Sequence, residues 1–162
     1  MSQSPDQVDK VLDVERSRAI AQVIKSKAKA PFENAYKAAL ELGDEVFYVQ
    51  GFLVFPGTPF KPIEHSWLEL AERRIDPSYP HFNRQPETLY YFPAQTLSLT
   101  ELKEAIAEAQ EDYPEDEPLP IYGSMPYEYY GDVMLGGKAY QTAYEAAQAH
   151  CQALNRPSKK VH

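Results

Sequence analysis

The sequence predicts an α+β fold in which helices pack on a small antiparallel sheet. In four segments apolar residues recur at three- and four-residue steps, which is the period of an amphipathic helix. Between them lie runs rich in aromatic and β-branched residues, which are typical of strands. A chain of 162 residues has the size of one domain, so we expect residues 1–162 to form a single domain.

The first helix is predicted over residues 4–29. Ser4 suits the N-cap position, Pro5 suits the first helical turn, and Gln7 completes a capping-box pattern. Apolar residues then follow at helical spacing, and they are Val8, Val11, Leu12, Ala19, Ile20, Val23 and Ile24. We therefore expect one face of this helix to pack against the core.

A second helix and a three-stranded meander are predicted next. Pro31 has the fixed φ that suits a helix start, and Gly43 is the expected C-cap. Residues 46–55, "VFYVQGFLVF", predict a largely buried strand that ends at a proline-rich turn. Residues 63–70, "IEHSWLEL", alternate as a second strand, and a short "RRID" strand over 73–76 completes the meander.

The second half of the chain is less regular. Residues 77–93 predict an ordered loop that covers the sheet, and residues 88–97 an edge strand interrupted at Pro93. Ser98 and Glu101 form a capping box before a third helix. A loop rich in Tyr, Gly and Pro with at most one short strand, a closing helix over 138–155 and a mobile tail over 156–162 complete the expected order.

Composition and charge exclude several classes of function. The formal charge of −8 disfavours binding to nucleic acid or to an anionic membrane surface. No apolar run reaches the about 20 residues that span a bilayer, and the polar N-terminus favours a cytoplasmic location. One cysteine and four scattered histidines predict neither structural zinc nor another metal or cofactor, and the oligomeric state is left open.

One pair of residues has the spacing of a catalytic dyad. Alternation along the second strand puts Ile63, His65 and Trp67 on one face. Asp76 ends the next strand, and antiparallel neighbours lie about 4.8 Å apart, so a hydrogen bond between His65 and Asp76 is expected. The pair has two interpretations, a structural lock between strands or a general base with its orienting carboxylate.

Four short sequence motifs extend this pattern: "PFENA", "YVQG", "EHSW" and "IDPS" within residues 30–80. In order and spacing they resemble the transglutaminase-like members of the papain-like cysteine hydrolases, especially small bacterial and phage proteins. The resemblance implies that His65 is the general base, that Asp76 orients it and that Trp67 shapes the pocket wall. It also puts Pro31 where the family has its nucleophilic cysteine.

Pro31 has neither a thiol nor a backbone N–H, so it supplies no nucleophile and no oxyanion donor. Cys151, the one thiol, falls inside the last helix and is interpreted as inert, whereas Ser66 must point away from the His65 face. Glu33 and Asn34 in the first turn of the second helix could join His65 and activate water without a covalent step.

These observations leave hypotheses of different classes. The preferred one is a non-catalytic binding or scaffold protein on a degenerate transglutaminase-like fold, with a protein partner bound through the loops rich in Tyr and Pro. Its candidate binding residues are Trp67, Glu33, Asn34, Tyr127, Tyr129 and Tyr130. The alternative is a hydrolase or amide-transfer enzyme of altered mechanism that uses His65 and Asp76. A third interpretation is that the four motifs match by coincidence and that the chain is an unclassified α+β domain. Independently of these three, the tyrosines either present a surface for a partner or only pack a core rich in loops.

Overall fold

A computed structural model describes residues 10–121, 127–130 and 133–156 of the chain, without the side chains of the two strands between 127 and 136. It confirms the predicted α+β class, because helices pack on a five-stranded sheet. The sheet is mixed, since one short strand runs parallel to its neighbour and the other pairings are antiparallel.

The elements follow one another from the N-terminus to the C-terminus. The helices of the described residues are α1 (Val14–Ile24), α2 (Pro31–Leu42), α3 (Leu99–Asp112) and α4 (Lys138–Asn155). The strands are β1 (Val11–Leu12), β2 (Phe47–Phe55), β3 (Lys61–Glu69), β4 (Arg73–Ile75), β5 (Tyr90–Leu97), β6 (Tyr127–Tyr130) and β7 (Val133–Gly136). Short 3-10 helices occupy Gly43–Glu45, Tyr79–His81 and Pro86–Thr88.

The large sheet has the strand order β1-β4-β3-β2-β5. Its centre is the predicted antiparallel meander β2-β3-β4, and β5 lies at one edge as predicted. Strand β5 pairs with β2 on both sides of Pro93 through an irregular register near Gly51, so the proline bends the ladder without ending the strand. The capping box of Ser98 and Glu101 begins α3, also as predicted.

The prediction of one long N-terminal helix over residues 4–29 is wrong in its bounds, because only Val14–Ile24 is helical within the described part of that range. Val11 and Leu12 form β1 and pair in parallel with Arg73 and Arg74 of β4. Helix α1 starts only after Asp13, whose side chain accepts a hydrogen bond from the backbone N–H of Arg16. The cap predicted at Ser4–Gln7 and the tail over 157–162 lie outside the described residues.

Two different layers cover the two faces of the large sheet. Residues opposite each other in antiparallel strands share a face, and the register pairs His65 with Gly51 and Trp67 with Val49. We call this the dyad face, and the loop between β4 and β5 covers it through Tyr79, Phe82 and Leu89. The opposite, helix face carries residues that pack against α2, α3 and α4, namely Tyr48, Phe52, Val54 and Leu68.

Strands β6 and β7 form a separate two-stranded antiparallel sheet just before α4. The sequence predicted at most one strand in this region, and that prediction is wrong. Both segments contain tyrosine or valine, which favour strands, and the two segments pair with each other along the backbone. The side chains of Tyr127, Tyr129 and Tyr130 lie outside the described part of the chain, so their role in binding a partner stays a prediction.

Candidate functional site

The predicted hydrogen bond between His65 and Asp76 is present. Nε2 of His65 lies 2.8 Å from Oδ2 of Asp76, across the neighbouring strands β3 and β4. The two side chains have 2% and 0% of their surface exposed, respectively. Because the carboxylate accepts from Nε2, the pair fixes the orientation of the imidazole ring.

Both oxygens of the Asp76 carboxylate accept hydrogen bonds from protein donors. Its Oδ2 also accepts from the hydroxyl of Tyr91 at 2.8 Å, and its Oδ1 accepts from the backbone N–H of Ser78 at 2.9 Å. The Asp76 backbone N–H donates to Oγ of Ser17 at 2.9 Å. Asp76 therefore joins β4, β5, α1 and the following loop, which is what a structural lock does.

Aromatic rings enclose the imidazole of His65. Trp67 stacks on it at 6.0 Å between ring centroids and 21° between ring planes. Phe82 lies at 5.6 Å and Tyr91 at 6.2 Å. Trp67 is itself fully buried and donates its indole N–H to Glu69, so it packs beneath the dyad and lines no open pocket. A substrate could reach His65 only if this covering layer moved.

The sequence suggested that Asn34 and Glu33 could join His65, but in the structure each has other partners. Asn34 is buried, bonds both backbone groups of Lys27 and donates to Oγ of Ser78, so it ties the start of α2 to the loop after β4. Glu33 is exposed and pairs with Lys37 at 3.1 Å, and this hydrogen bond lowers the pKa of the Glu33 carboxyl. The hydrogen bond of the His65 ring is to Asp76, so neither residue joins it.

Helix α2, which starts at Pro31 as predicted, packs on the helix face through Ala35, Ala38 and Ala39. His65 points to the opposite face. Ser66 lies on the helix side and donates to the carbonyl of Val49, as strand alternation predicts. Cys151 is buried in α4, and burial raises the pKa of its thiol, which favours the unreactive thiol form.

The sequence interpretation missed a buried charged group on the dyad face. Arg74, 6% exposed, donates through Nε to Glu69 at 3.3 Å and through Nη1 to the carbonyl of Lys10 at 3.2 Å. Its guanidinium lies 4.9 Å from the ring centroid of Tyr91. Strand alternation could have indicated this position, since Arg74 precedes Asp76 by two residues and so shares its face.

A second missed contact lies at the surface, where Oγ of Ser26 is 2.9 Å from Nε2 of His81. A hydroxyl and an imidazole in contact form the first two members of a nucleophile–base arrangement. Arg18 and Lys25 line the same open groove of about 560 Å³. The residues lie far apart in the sequence and on a helix end and a loop, so no motif indicated the pair.

Two buried tyrosines predict a loss of stability at alkaline pH. Burial, together with the adjacent Asp76, raises the pKa of the Tyr91 phenol well above its ordinary value of 10.0, and burial also raises that of Tyr48. A group with a raised folded pKa gives its full contribution below the unfolded pKa and loses it as pH rises. Above pH 10 we expect each phenol to lower the free energy of unfolding by up to about 1.4 kcal/mol per pH unit.

Urea unfolding of wild type and Tyr91→Phe between pH 9 and about pH 11.5 measures this slope. We expect the variant to show a clearly shallower decline, with the remainder due to Tyr48. The matched control is Tyr113→Phe, whose side chain is largely exposed and should leave the slope unchanged. If the free energy of unfolding falls equally steeply with pH in wild type and in Tyr91→Phe, the Tyr91 phenol is not shielded from deprotonation in the folded protein.

Comparisons with known proteins add no assignment, because no family model, no curated protein and no solved structure matches the chain. Within the described residues, no helix is long and apolar enough to cross a membrane. In the same residues, no group of three or more His, Cys, Asp or Glu side chains could hold a metal ion.

Proposed function

We propose that this protein is a non-catalytic binding or scaffold protein on a degenerate transglutaminase-like fold, and that His65 and Asp76 lock its sheet. The observation that carries the proposal is the burial of the dyad. Its imidazole is 2% exposed among the rings of Trp67, Phe82 and Tyr91, and both oxygens of its carboxylate accept from protein donors. A general base must come within hydrogen-bond reach of the proton it removes.

The residue at the expected nucleophile position supports the same proposal. Pro31 has no attacking atom, and its helix packs on the sheet face opposite His65. Cys151 belongs to a different core cluster, with Phe52 and Ala147. An open space between β5 and α4 has a lining that contains neither His65 nor Asp76. Binding without chemistry fits this separation.

The test is turnover of a panel of peptide, isopeptide and ester substrates by the purified protein. We expect wild type to show no turnover above that of His65→Ala, Cys151→Ser and Ser26→Ala, with circular dichroism confirming that each variant is folded. Ser26→Ala is included because of the Ser26–His81 contact. His65→Gln, which keeps a polar side chain, replaces His65→Ala if that variant unfolds.

Turnover that a folded His65 variant abolishes would overturn the proposal and favour the hydrolase or amide-transfer alternative. Turnover lost only in Ser26→Ala would overturn it in another way, because the surface pair would then be the catalyst. Turnover lost only in Cys151→Ser would assign the nucleophile to α4. Equal rates in all four proteins, at the level of a buffer blank, support the proposal.

A further inference from the structure

Two segments that face each other carry positive charge in an acidic chain. Residues 16–29, which run from α1 to the loop before α2, contain five Lys or Arg and no Asp or Glu. Residues 77–86, at the start of the loop after β4, also contain no Asp or Glu. Helix α1 packs against the 3-10 helix Tyr79–His81 of that loop, so the two segments form one surface. In a chain of formal charge −8 such a surface favours an anionic ligand.

An open groove of about 560 Å³ lies between the two segments. Its size is in the range of clefts that hold small molecules. The described lining has five polar side chains and no Asp or Glu, and the five are Arg18, Gln22, Lys25, Ser26 and His81. Positions 18, 22 and 25 are four and three residues apart, so they follow one side of α1 and its C-cap. Each of the five side chains can donate a hydrogen bond, which is the property that an anion site needs.

Arg18 and Lys25 supply the positive charge of the groove. In the described part of the chain neither forms an ion pair, whereas Arg16 lies 3.8 Å from Glu45. The guanidinium of Arg18 lies 5.6 Å from the ring centroid of Tyr79, which is buried, so the ring holds it beside the groove. Both cations are therefore available to a ligand.

Ser26 and His81 add a donor whose direction is set by their contact. Oγ of Ser26 lies 2.9 Å from Nε2 of His81. When Nε2 carries its hydrogen, Oγ accepts it and can donate its own hydrogen to a ligand. A nucleophile–base arrangement needs a third group that orients the base, and within the described residues the His81 ring has this one hydrogen bond. The pair is therefore better suited to hold an anion than to attack a substrate.

The groove lies beside the C-terminal end of α1, where the helix dipole disfavours an anion. Two features limit this effect. The left-handed conformation of Lys25 closes the helix, and the backbone N–H of Ser26 then donates to the carbonyl of Ala21 at 2.9 Å. The lining also includes Arg18 and Gln22, so a ligand lies along the side of the helix and not at its end.

We propose that this groove binds the phosphate group of a small soluble phosphate monoester. Such a group carries about −1.5 to −2 charges at neutral pH and three acceptor oxygens. Two cations and three uncharged donors match it better than they match a carboxylate, which has one charge and two oxygens. The formal charge of −8 disfavours an anionic membrane as the source of the phosphate. The inference goes beyond the proposed function, because the groove contains neither His65 nor Asp76 and binds phosphate whether or not the dyad is catalytic.

Nuclear magnetic resonance titration of the isotope-labelled full chain with phenyl phosphate and with benzoate tests the proposal. The ionic strength is held at about 0.15 M, which screens long-range attraction. We expect phenyl phosphate to give saturable shifts of the backbone amides of Ser26 and His81. Benzoate should bind more weakly by about fivefold or more, because it lacks the second charge and the third oxygen. Ser26→Ala should weaken phenyl phosphate by about two- to fivefold.

Lys25→Gln and Lys29→Gln are a matched pair of variants. Both lysines are exposed and both have a left-handed backbone, with φ of 57° and 62°, but of the two Lys25 lines the groove. We expect Lys25→Gln to weaken phenyl phosphate by about two- to fivefold and Lys29→Gln to leave its affinity unchanged. Equal effects of the two substitutions would mean general attraction to a basic surface and would overturn the proposal.

Vesicles of phosphatidylcholine with phosphatidic acid, whose headgroup is a phosphate monoester, test the membrane as the source. We expect the protein not to sediment with them. Sedimentation that Lys25→Gln reduces would assign the groove to a membrane surface and overturn the choice of a soluble ligand. A titration without saturable shifts at Ser26 and His81, or with equal affinity for benzoate, would also overturn the proposal. None of these outcomes depends on His65, so turnover that requires His65 is a separate result.

Discussion

Asp76→Asn should lower the free energy of unfolding by about 3–5 kcal/mol, because it breaks a buried hydrogen-bond network in which one carboxylate is the shared acceptor. The carboxylate accepts from His65 and Tyr91 at Oδ2 and from the Ser78 backbone at Oδ1. A carboxamide has a single acceptor oxygen. With that oxygen toward His65 and Tyr91, the amide nitrogen meets the backbone N–H of Ser78, and with the oxygen toward Ser78, both His65 and Tyr91 must change from donors to acceptors. The loss is a large share of the about 5–15 kcal/mol that stabilise a typical domain.

The measurement is urea unfolding at neutral pH, followed by circular dichroism and by the fluorescence of Trp67, which is buried beneath the dyad. Asp116→Asn is the matched control, because Asp116 is exposed beyond the end of α3 and should change stability by less than about 0.5 kcal/mol. A loss for Asp76→Asn no larger than that of the control would mean that the dyad does not lock the sheet.

Gly51→Ala should destabilise the fold by about 3 kcal/mol or more, because β5 approaches β2 too closely for a side chain at this position. A Cβ atom on Gly51 would lie 2.1 Å from the carbonyl oxygen of Phe92 and 2.9 Å from the backbone nitrogen of Ala94. Both are backbone atoms in the irregular part of the ladder, so the strands themselves would have to separate.

Gly57→Ala is the matched control for this substitution. Its new Cβ would meet the carbonyl oxygen of Pro59 at 3.3 Å, in the loop between β2 and β3, and we expect a change below about 1 kcal/mol. Thermal unfolding of both variants beside wild type gives the comparison. A Gly51→Ala protein as stable as Gly57→Ala would show that β5 is free to move away from β2.

The sequence predicted elements whose signals are local. The proline and glycine that bound α2 and the capping box at Ser98 act within a few residues, and the structure has them where they were expected. Val11 and Leu12 were assigned to a helix by the same kind of signal, but their partners in β4 lie about sixty residues away along the chain. A strand of two residues is too short to show an alternating pattern, and nothing near it in the sequence indicates its distant partner. The strand could therefore not be predicted.

The candidate site residues also differ in whether the sequence could predict their contacts. His65 and Asp76 could be paired from the sequence because adjacent strands of a meander have a predictable alternation. Tyr91 could not be added to them, since its position depends on how the loop after β4 folds back across the sheet. Ser26 and His81 meet only because α1 packs against the loop after β4, and residues so distant in sequence form no motif.

The position of Pro93 in the edge strand also has a consequence for self-association. An edge strand with a regular row of backbone donors and acceptors is a template onto which a strand of another chain can add. In β5 the proline removes one donor from the row, and the irregular register near Gly51 disturbs the spacing of the others. Among the described strands β5 ends the sheet, and the proline makes this edge a poorer template for the strand-by-strand growth that leads to fibrils.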